Sequence, residues 1–445
     1  RALRRPGVLA AAVVLAAVLA ATPARAADPP IVFVHGNGDT AALWTTTIWR
    51  FESNGYPRER LFALDMRFPS ARSVDATRQE GRTSASEAMA QLAAFVDDVR
   101  ARTGGSKVAL VGNSRGANTI RNYVRFGGGA ASTSHVVLGG GTNHGVIVSD
   151  SHLTGSEFNG AGELMKRLND GPDEVVAGVA FLTVRSDRND KYAQPIGTFI
   201  NLPGVPTGLG YDAPALKGAT NVVLPGADHR ETSYGKRAFA ETFRFITGRA
   251  PARVDITPEA EPVLDGCVTG VTAGVYDNQP VAGAAVDVYP VDPRTGSRQG
   301  DPVHHRVTGA EGRWGPFRAS PAVAYEFVIS APGRPVTHIY RSPFPRGSRV
   351  VHLRPAILAR DDETAAAVVV MTRPRGYFGQ GRDVFTLDGA VPGGINEGVP
   401  GTSAARLRLS DAVPRSVTAR FNGETIVVRT WPMADHHVAI AEFHY

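Results

Sequence analysis

The residues of this chain best placed to do chemistry begin with Ser114. It stands in Gly112-Asn113-Ser114-Arg115-Gly116, after the apolar run Val108–Val111 and before the helix-compatible segment Ala117–Val124. That order describes a strand, a tight turn and a helix with a serine at the apex. Glycine is needed two positions either side because the apex backbone is strained and side chains there would collide. The strain pushes a hydroxyl out over the sheet edge beside a helix start, the placement that a serine nucleophile needs. With 49 glycines in 445 residues, G-x-S-x-G alone is a weak signal. The flanking strand and helix give it meaning.

A serine hydroxyl attacks only when a base removes its proton, and the base needs a third group to fix its tautomer. Where the serine rides on such an elbow, the acid and then the histidine follow it in the chain. His229 is the only histidine between residue 152 and the end of the first half near Arg249. It lies in the turn Pro225-Gly226-Ala227-Asp228-His229, just past the apolar run ending at Leu224. Elimination and placement make it the general base. The acid should follow the strand Phe181–Val184, and there Asp187 and Asp190 compete, with Arg185 and Arg188 as rival partners for either one. The oxyanion of acyl transfer needs two backbone N–H donors. Arg115, at the positive end of the elbow helix, supplies one. Asn37, in Val34-His35-Gly36-Asn37-Gly38 after the first strand, supplies the other.

The elements that must position these residues fall into two regimes. From Ala27 to about Arg249 strands alternate with helices. Apolar runs at Ile31–Val34, Leu61–Leu64, His135–Leu138, Val179–Val184 and Asn221–Leu224 read as strands. Ser84-Ala85-Ser86-Glu87 is a capping box, followed by Ala88, Leu92, Phe95, Val96 and Val99 at helical spacing. Gly127–Gly129 ends the elbow helix, and a last helix covers about Tyr234–Thr247. This alternation predicts a mostly parallel sheet flanked by helices. After Gly248 lysine disappears, and short alternating runs such as Val271–Tyr276, Ala285–Tyr289 and Tyr325–Ile329 are separated by turn residues. That pattern predicts an all-β sandwich or barrel, with Gly389–Thr402 as a long loop. The expected division is 27–249 for the catalytic domain, 250–355 for a β-sandwich-like region and 356–445 for a second β region, or one unit with it.

Residues 1–26 are expected to be an export signal: Arg1, Arg4 and Arg5, then the apolar run Val8–Ala20, then Ala24-Arg25-Ala26 as a cleavage site. The first residue is arginine, so the numbering is expected to begin inside a longer precursor. The apolar run is too short to span a bilayer comfortably, so no transmembrane segment is expected after signal removal and the product is expected to be secreted, extracellular or periplasmic. The net charge of +6 rests almost wholly on scattered arginine, with five lysines, which excludes a nucleic-acid reading. The single cysteine, Cys267, permits no internal disulfide and reads as an inert buried thiol.

On these residues the chain resembles the secreted lipase/esterase branch of the α/β-hydrolase fold. The resemblance is carried by His35-Gly36, the Ser114 elbow, Gly140-Gly141-Thr142-Asn143-His144-Gly145, Gly155-Ser156-Glu157-Phe158 with Leu168-Asn169, the Asp190 turn and His229. Related lipases hold the acid in a D-x-x-x-x-P turn, which favours Asp190 (Asp190 to Pro195) over Asp187. The second half looks like the C-terminal β domain of an archaeal lipase, through Tyr325-Glu326-Phe327, Ile339–Phe344 and Trp431–His436. The resemblance implies a role for that half in lipid binding. Arg115 departs from the small or apolar residue usual after the nucleophile, which bears on acyl preference. Phe68–Arg82 and Gly145–Gly162 are the flexible candidates for a lid.

Other groupings weigh less. His144 reads as lining or supporting the floor of the site. His304-His305 and His436-His437 alternate across a strand and so offer poor metal geometry, and Asp361-Asp362-Glu363 reads as a solvated turn. Neither metal nor cofactor is expected, and no phosphate-loop or dinucleotide fingerprint is present. The expected activity is therefore serine carboxylic-ester hydrolysis, a triacylglycerol lipase first, on an ester or lipid substrate at an oil–water interface. The rivals are a polyester or wax depolymerase with a β anchoring module, and a non-catalytic surface-binding protein.

Overall fold

The computed structural model describes residues 28–445; the expected export signal lies outside them. The first half is built on six parallel strands: β1 Ile31–Val34, β2 Leu61–Leu64, β3 Val108–Asn113, β4 Thr133–Gly139, β5 Ala180–Ser186 and β6 Thr220–Leu224, in the order β2-β1-β3-β4-β5-β6. Period-two alternation along the strands divides their side chains between two cores. Val32, Val34, Leu110, Val136 and Leu138 pack against Ala88, Leu92, Val96 and Val99 of α2 (Ala85–Arg102) and Ile120, Tyr123 and Val124 of α3 (Arg115–Phe126). Ile31, Phe33, Ala109, Val111, Leu182 and Val184 pack on the other face, against Phe51 of α1 (Thr45–Ser53) and Phe239, Phe243 and Ile246 of α4 (Lys236–Thr247). The capping box forms as its sequence demands: Ser84 Oγ accepts from the Glu87 N–H, and the Glu87 carboxylate accepts from the Ser84 N–H.

The second half centres on one seven-stranded sheet drawn from both sides of Pro355. Its strands are β7 Ala285–Val291, β8 His304–Val307, β9 Ala324–Ser330, β10 Val336–Arg341, β11 Ala367–Thr372, β12 Ala404–Leu409 and β13 His437–Glu442, ordered β8-β7-β9-β10-β13-β11-β12. The last strand, β13, lies between β10 and β11 and runs parallel to both. One face of this sheet packs Tyr340, Val369, Met371, Ala439 and Ala441 against Phe385, Val417, Ala419, Ile426 and Val428 of a three-stranded sheet, which makes a sandwich.

Three local expectations change. Val271–Tyr276 is not one strand but a tight hairpin between Thr269–Thr272 and Val275–Pro280, because Ala273 and Gly274 take φ of 49° and 76° and reverse the chain. Asp362 is not solvated; it is fully buried and paired with Arg406 and Arg408 at 2.6 and 2.8 Å. His436 sits in a left-handed turn at φ 58°, outside the strand that begins at His437. Cys267 is free and half-buried. Among the described residues no helix is long and apolar enough to cross a membrane.

Candidate active site

Ser114 is at the apex between β3 and α3, with φ 54° and ψ −121°. A non-glycine residue holds such a backbone only where its surroundings enforce it. Gly116 shows how: a Cβ there would stand 2.5 Å from the Val34 carbonyl oxygen and 2.7 Å from that of His35. A Cβ at Gly112 would meet Ile120 at 2.7 Å and the Gly116 backbone at 2.9 Å. The elbow is therefore wedged between β1 and its own helix, and a Cβ at either flank would force a neighbour to shift.

His229 follows β6 in the loop before α4 and is almost fully buried. Its Nδ1 lies 2.8 Å from Asp190 Oδ1, and the Tyr192 ring packs edge-on against the imidazole at 4.7 Å. The Tyr192 N–H donates to the same Asp190 oxygen at 2.9 Å, which fixes the carboxylate. His229 Nε2 is buried with no hydrogen-bond partner among the described residues. Asp187 faces elsewhere: its Oδ1 accepts from the Arg188 N–H at 2.7 Å and the Gly226 N–H at 2.9 Å. Burial works against its charge, but those two N–H groups and the Ser186 hydroxyl prevail and hold its carboxyl below the usual range.

Ser114, His229 and Asn37 line one cavity of about 480 Å³, together with apolar Val146, Leu153, Phe158 and Phe199. Asn37 is fixed by its side chain, whose Oδ1 accepts from the Ala71 N–H at 2.7 Å. Arg115 opens α3, so its N–H has no carbonyl within the helix to bond. Its side chain does not enter the cavity. The guanidinium is fully buried, forks onto Glu157 with two bonds of 2.8 Å, and donates to the Pro69 carbonyl and to Thr83. The residue after the serine thus ties both candidate lid segments to the elbow and does not line the Ser114 cavity. His144, expected at the floor, does not line the cavity; it bonds the Ala213 carbonyl at 2.6 Å and Glu174 at 3.0 Å.

Residues from the second half complete the site, and no local pattern in the sequence announces them. Tyr377 forms part of the cavity wall. Arg230, next to His229, pairs with Asp39 at 2.6 Å and donates to the Pro374 carbonyl at 2.7 Å. Lys191, beside Asp190, lies over the Tyr377 and Tyr192 rings and donates to the Gly401 carbonyl at 2.9 Å. Burial, then the nearby Arg230 charge, lowers its ammonium to about 8. Among the described residues no cluster of three His, Cys, Asp or Glu side chains could hold a metal.

Residues 28–158 match the family model of class 2 lipases, and residues 264–357 match that of the lipase C-terminal domain. Comparison with curated proteins finds no match. Among solved structures the chain is similar to Aspergillus fumigatus lipase B, at 15% identity and TM-score 0.37, over 51% of this chain and 54% of that one, so it spans about half that protein's length. It is also similar to Bacillus licheniformis lipase BlEst2, at TM-score 0.37 in both forms. The mature form gives 20% identity over 50% of this chain and 93% of that one. The propeptide form gives 14% over 91% and 93%. The first half, a parallel sheet flanked by helices, thus carries a class 2 lipase segment, and the β-rich second half carries a lipase C-terminal domain segment.

Proposed function

We propose that the chain is an exported triacylglycerol lipase working through Ser114, His229 and Asp190. The Ser114 hydroxyl attacks the acyl carbon while His229 Nε2 takes its proton. The same nitrogen then protonates the departing glycerol oxygen, and a water repeats the sequence in reverse to free the acid. Asp190 holds the Nδ1–H tautomer and stabilises the imidazolium. The N–H groups of Asn37 and Arg115 receive the oxyanion.

One observation carries this reading: Asp190 engages His229 Nδ1 at 2.8 Å, leaving Nε2 unpartnered in the cavity that holds the strained Ser114. Ser114→Ala is expected to lower ester turnover at least about a thousandfold with an unchanged unfolding midpoint. A fluorophosphonate probe is expected to label wild type and spare the variant. Retained turnover or labelling in Ser114→Ala would refute the assignment.

For the substrate, the apolar walls of the cavity and the exposed Val74, Val148 and Leu153 along its two flanking segments support an acyl chain delivered from an oil surface. Turnover of emulsified triolein is expected to exceed that of dissolved short-chain esters. Polyester film hydrolysed faster than triolein would move the reading to a depolymerase. Export rests on residues 1–26 and is tested by the N-terminus of protein recovered from the medium.

A further inference from the structure

A second cavity, of about 620 Å³, lies between α1, the loop after β6 and the second half, and neither Ser114 nor His229 lines it. Two guanidiniums face it, Arg50 from α1 and Arg375 from the second half; the residues are 2% and 8% exposed. Arg50 donates to the carbonyls of Val254 and Tyr234 at 3.1 and 3.2 Å. Arg375 donates to those of Leu43, His444 and Ala42 at 3.0, 3.3 and 2.6 Å. Every partner is a neutral carbonyl, and among the described residues neither arginine forms an ion pair.

The two carboxylates lining the cavity are committed elsewhere. Glu231 pairs with Arg373 and Arg382. Glu424 accepts from the Ser342 hydroxyl and the N–H groups of His444 and Tyr445. His444, 3% exposed and lining the same space, has neither ring nitrogen bonded. Burial, the largest cause, depresses both guanidiniums to about 10, outweighing the attraction of Glu442 and Glu424 on Arg375 and of Tyr445 and Asp255 on Arg50, none of which bonds to them.

Buried cations are ordinarily paired, because an uncompensated charge in an apolar setting is costly. Here, among the described residues, neither guanidinium has a carboxylate in ion-pair contact, and the space for one is present. Guanidinium forks match oxyanions such as carboxylate and phosphate. Leu224, Ala227 and Phe421 add an apolar wall that suits hydrocarbon. We propose that this cavity binds a small oxyanion carrying an apolar tail, a fatty carboxylate in the first place, against Arg50 and Arg375. Ester hydrolysis releases acids of this class, so the ligand is one that the reaction itself supplies. Arg373, on the cavity wall, also grips the loop that carries His229, so occupancy and the histidine loop share a residue.

The test is calorimetric titration of the full chain with decanoate, acetate and inorganic phosphate, repeated after a phosphonate ester has filled the Ser114 cavity. Decanoate is expected to bind at one equivalent before and after blocking, and more tightly than acetate or phosphate. Arg375→Gln should weaken it about tenfold or more. Because Arg375 also braces three backbone carbonyls, Lys236→Glu is the second variant. Lys236 lines the cavity, its side chain is 53% exposed and its ion pair is to Asp255, so it can be reversed without touching the core. Several-fold weakening is expected there. Absence of saturable decanoate binding in the blocked protein, or binding indifferent to both variants, overturns the site. Acetate or phosphate binding as tightly as decanoate overturns the tailed ligand. Failure of the phosphonate to attach would count against Ser114 alone and leave the comparison of variants standing.

Discussion

Asp228, the residue before His229, is fully buried and receives Arg373 from the second half at 3.0 Å. The Tyr377 N–H reaches the same carboxylate at 2.8 Å and Arg382 at 3.3 Å. The loop that presents the proposed base is therefore held from outside its own domain. Removing Arg373 leaves the buried Asp228 with only the longer Arg382 pair and the Tyr377 N–H, at a cost of about 3 kcal/mol, the low end for a broken buried pair. Arg373→Met is expected to lower stability by about that much and to reduce kcat more than KM, since His229 is displaced while the acyl cavity stays intact. A denaturation midpoint and kcat within error of wild type would show that the grip is idle.

Arg115 and Glu157 make the same argument at the elbow. Both side chains are almost completely buried, and Glu157 is the only carboxylate that the guanidinium engages among the described residues. Arg115→Met should cost about 3–5 kcal/mol, and adding Glu157→Leu should recover part of the loss, because replacing both charges removes the unpaired one. Double-mutant unfolding measures the coupling. Strict additivity would mean that the pair is not energetically linked.

Much of this site was legible before any coordinates. The elbow, the histidine and the strand–helix alternation are local patterns, since a turn's glycines and a buried strand's period lie within a few residues of each other. Asp190 and Asp187 follow one strand three residues apart; the residues alone left both open and the resemblance favoured Asp190, while in the fold Asp187 turns back to the Gly226 N–H. Asp362 read as solvated because its counter-ions, Arg406 and Arg408, stand 44 and 46 residues away in sequence. Tyr377 and Arg373 stayed hidden for the same reason: their function arises where two halves dock, and docking leaves no periodic trace. The hairpin at Ala273-Gly274 escaped because alanine is an unusual residue for a positive φ.

The two elbow glycines should not be equally tolerant. Gly116→Ala drives a Cβ to 2.5 and 2.7 Å from two backbone carbonyls of β1 and its loop, whereas at Gly112 the nearest atom is the movable end of Ile120 and the tightest backbone contact, at 2.9 Å, is looser. Gly116→Ala is expected to abolish soluble expression or activity. Gly112→Ala should keep a folded protein with reduced kcat. Circular dichroism and ester turnover separate the cases, and an active Gly116→Ala would show that the β1–α3 contact can open.

Acid sensitivity follows from His444. Burial, reinforced by Arg375 and Arg341, pushes its imidazole well below the ordinary value of 6.5. The unfolded chain then takes up a proton that the folded one refuses, so stability is whole above about pH 6.5 and falls as pH drops below it. The ring packs edge-on against Trp49 and Phe344 at 5.7 and 4.7 Å, an environment that suits phenylalanine. His444→Phe should therefore flatten the fall in unfolding free energy between pH 7.5 and about pH 5. An identical slope in the variant would assign the acid loss to other groups, His35 among them, whose imidazole burial also lowers.

Trp49 bears on whether the second half is a detachable module. It belongs to helix α1 of the catalytic half, yet it is fully buried in the core formed by Leu264, Val286, Trp314, Phe327 and Leu353, and its Nε1–H donates to the Gly347 carbonyl at 2.8 Å. Arg50, the next residue, likewise finds one of its carbonyls at Val254. Cutting the chain near residue 250 strips that core from the indole and exposes a large apolar ring beside a desolvated guanidinium, a loss comparable to the 3–5 kcal/mol of deleting a buried tryptophan. The fragment 28–249 is expected to aggregate or to populate an expanded state with red-shifted tryptophan emission, and to lose turnover of short soluble esters as well as of triolein. A monomeric fragment with native emission and intact activity on soluble esters would mean that the second half only carries the enzyme to its substrate and contributes nothing to the shape of the catalytic half.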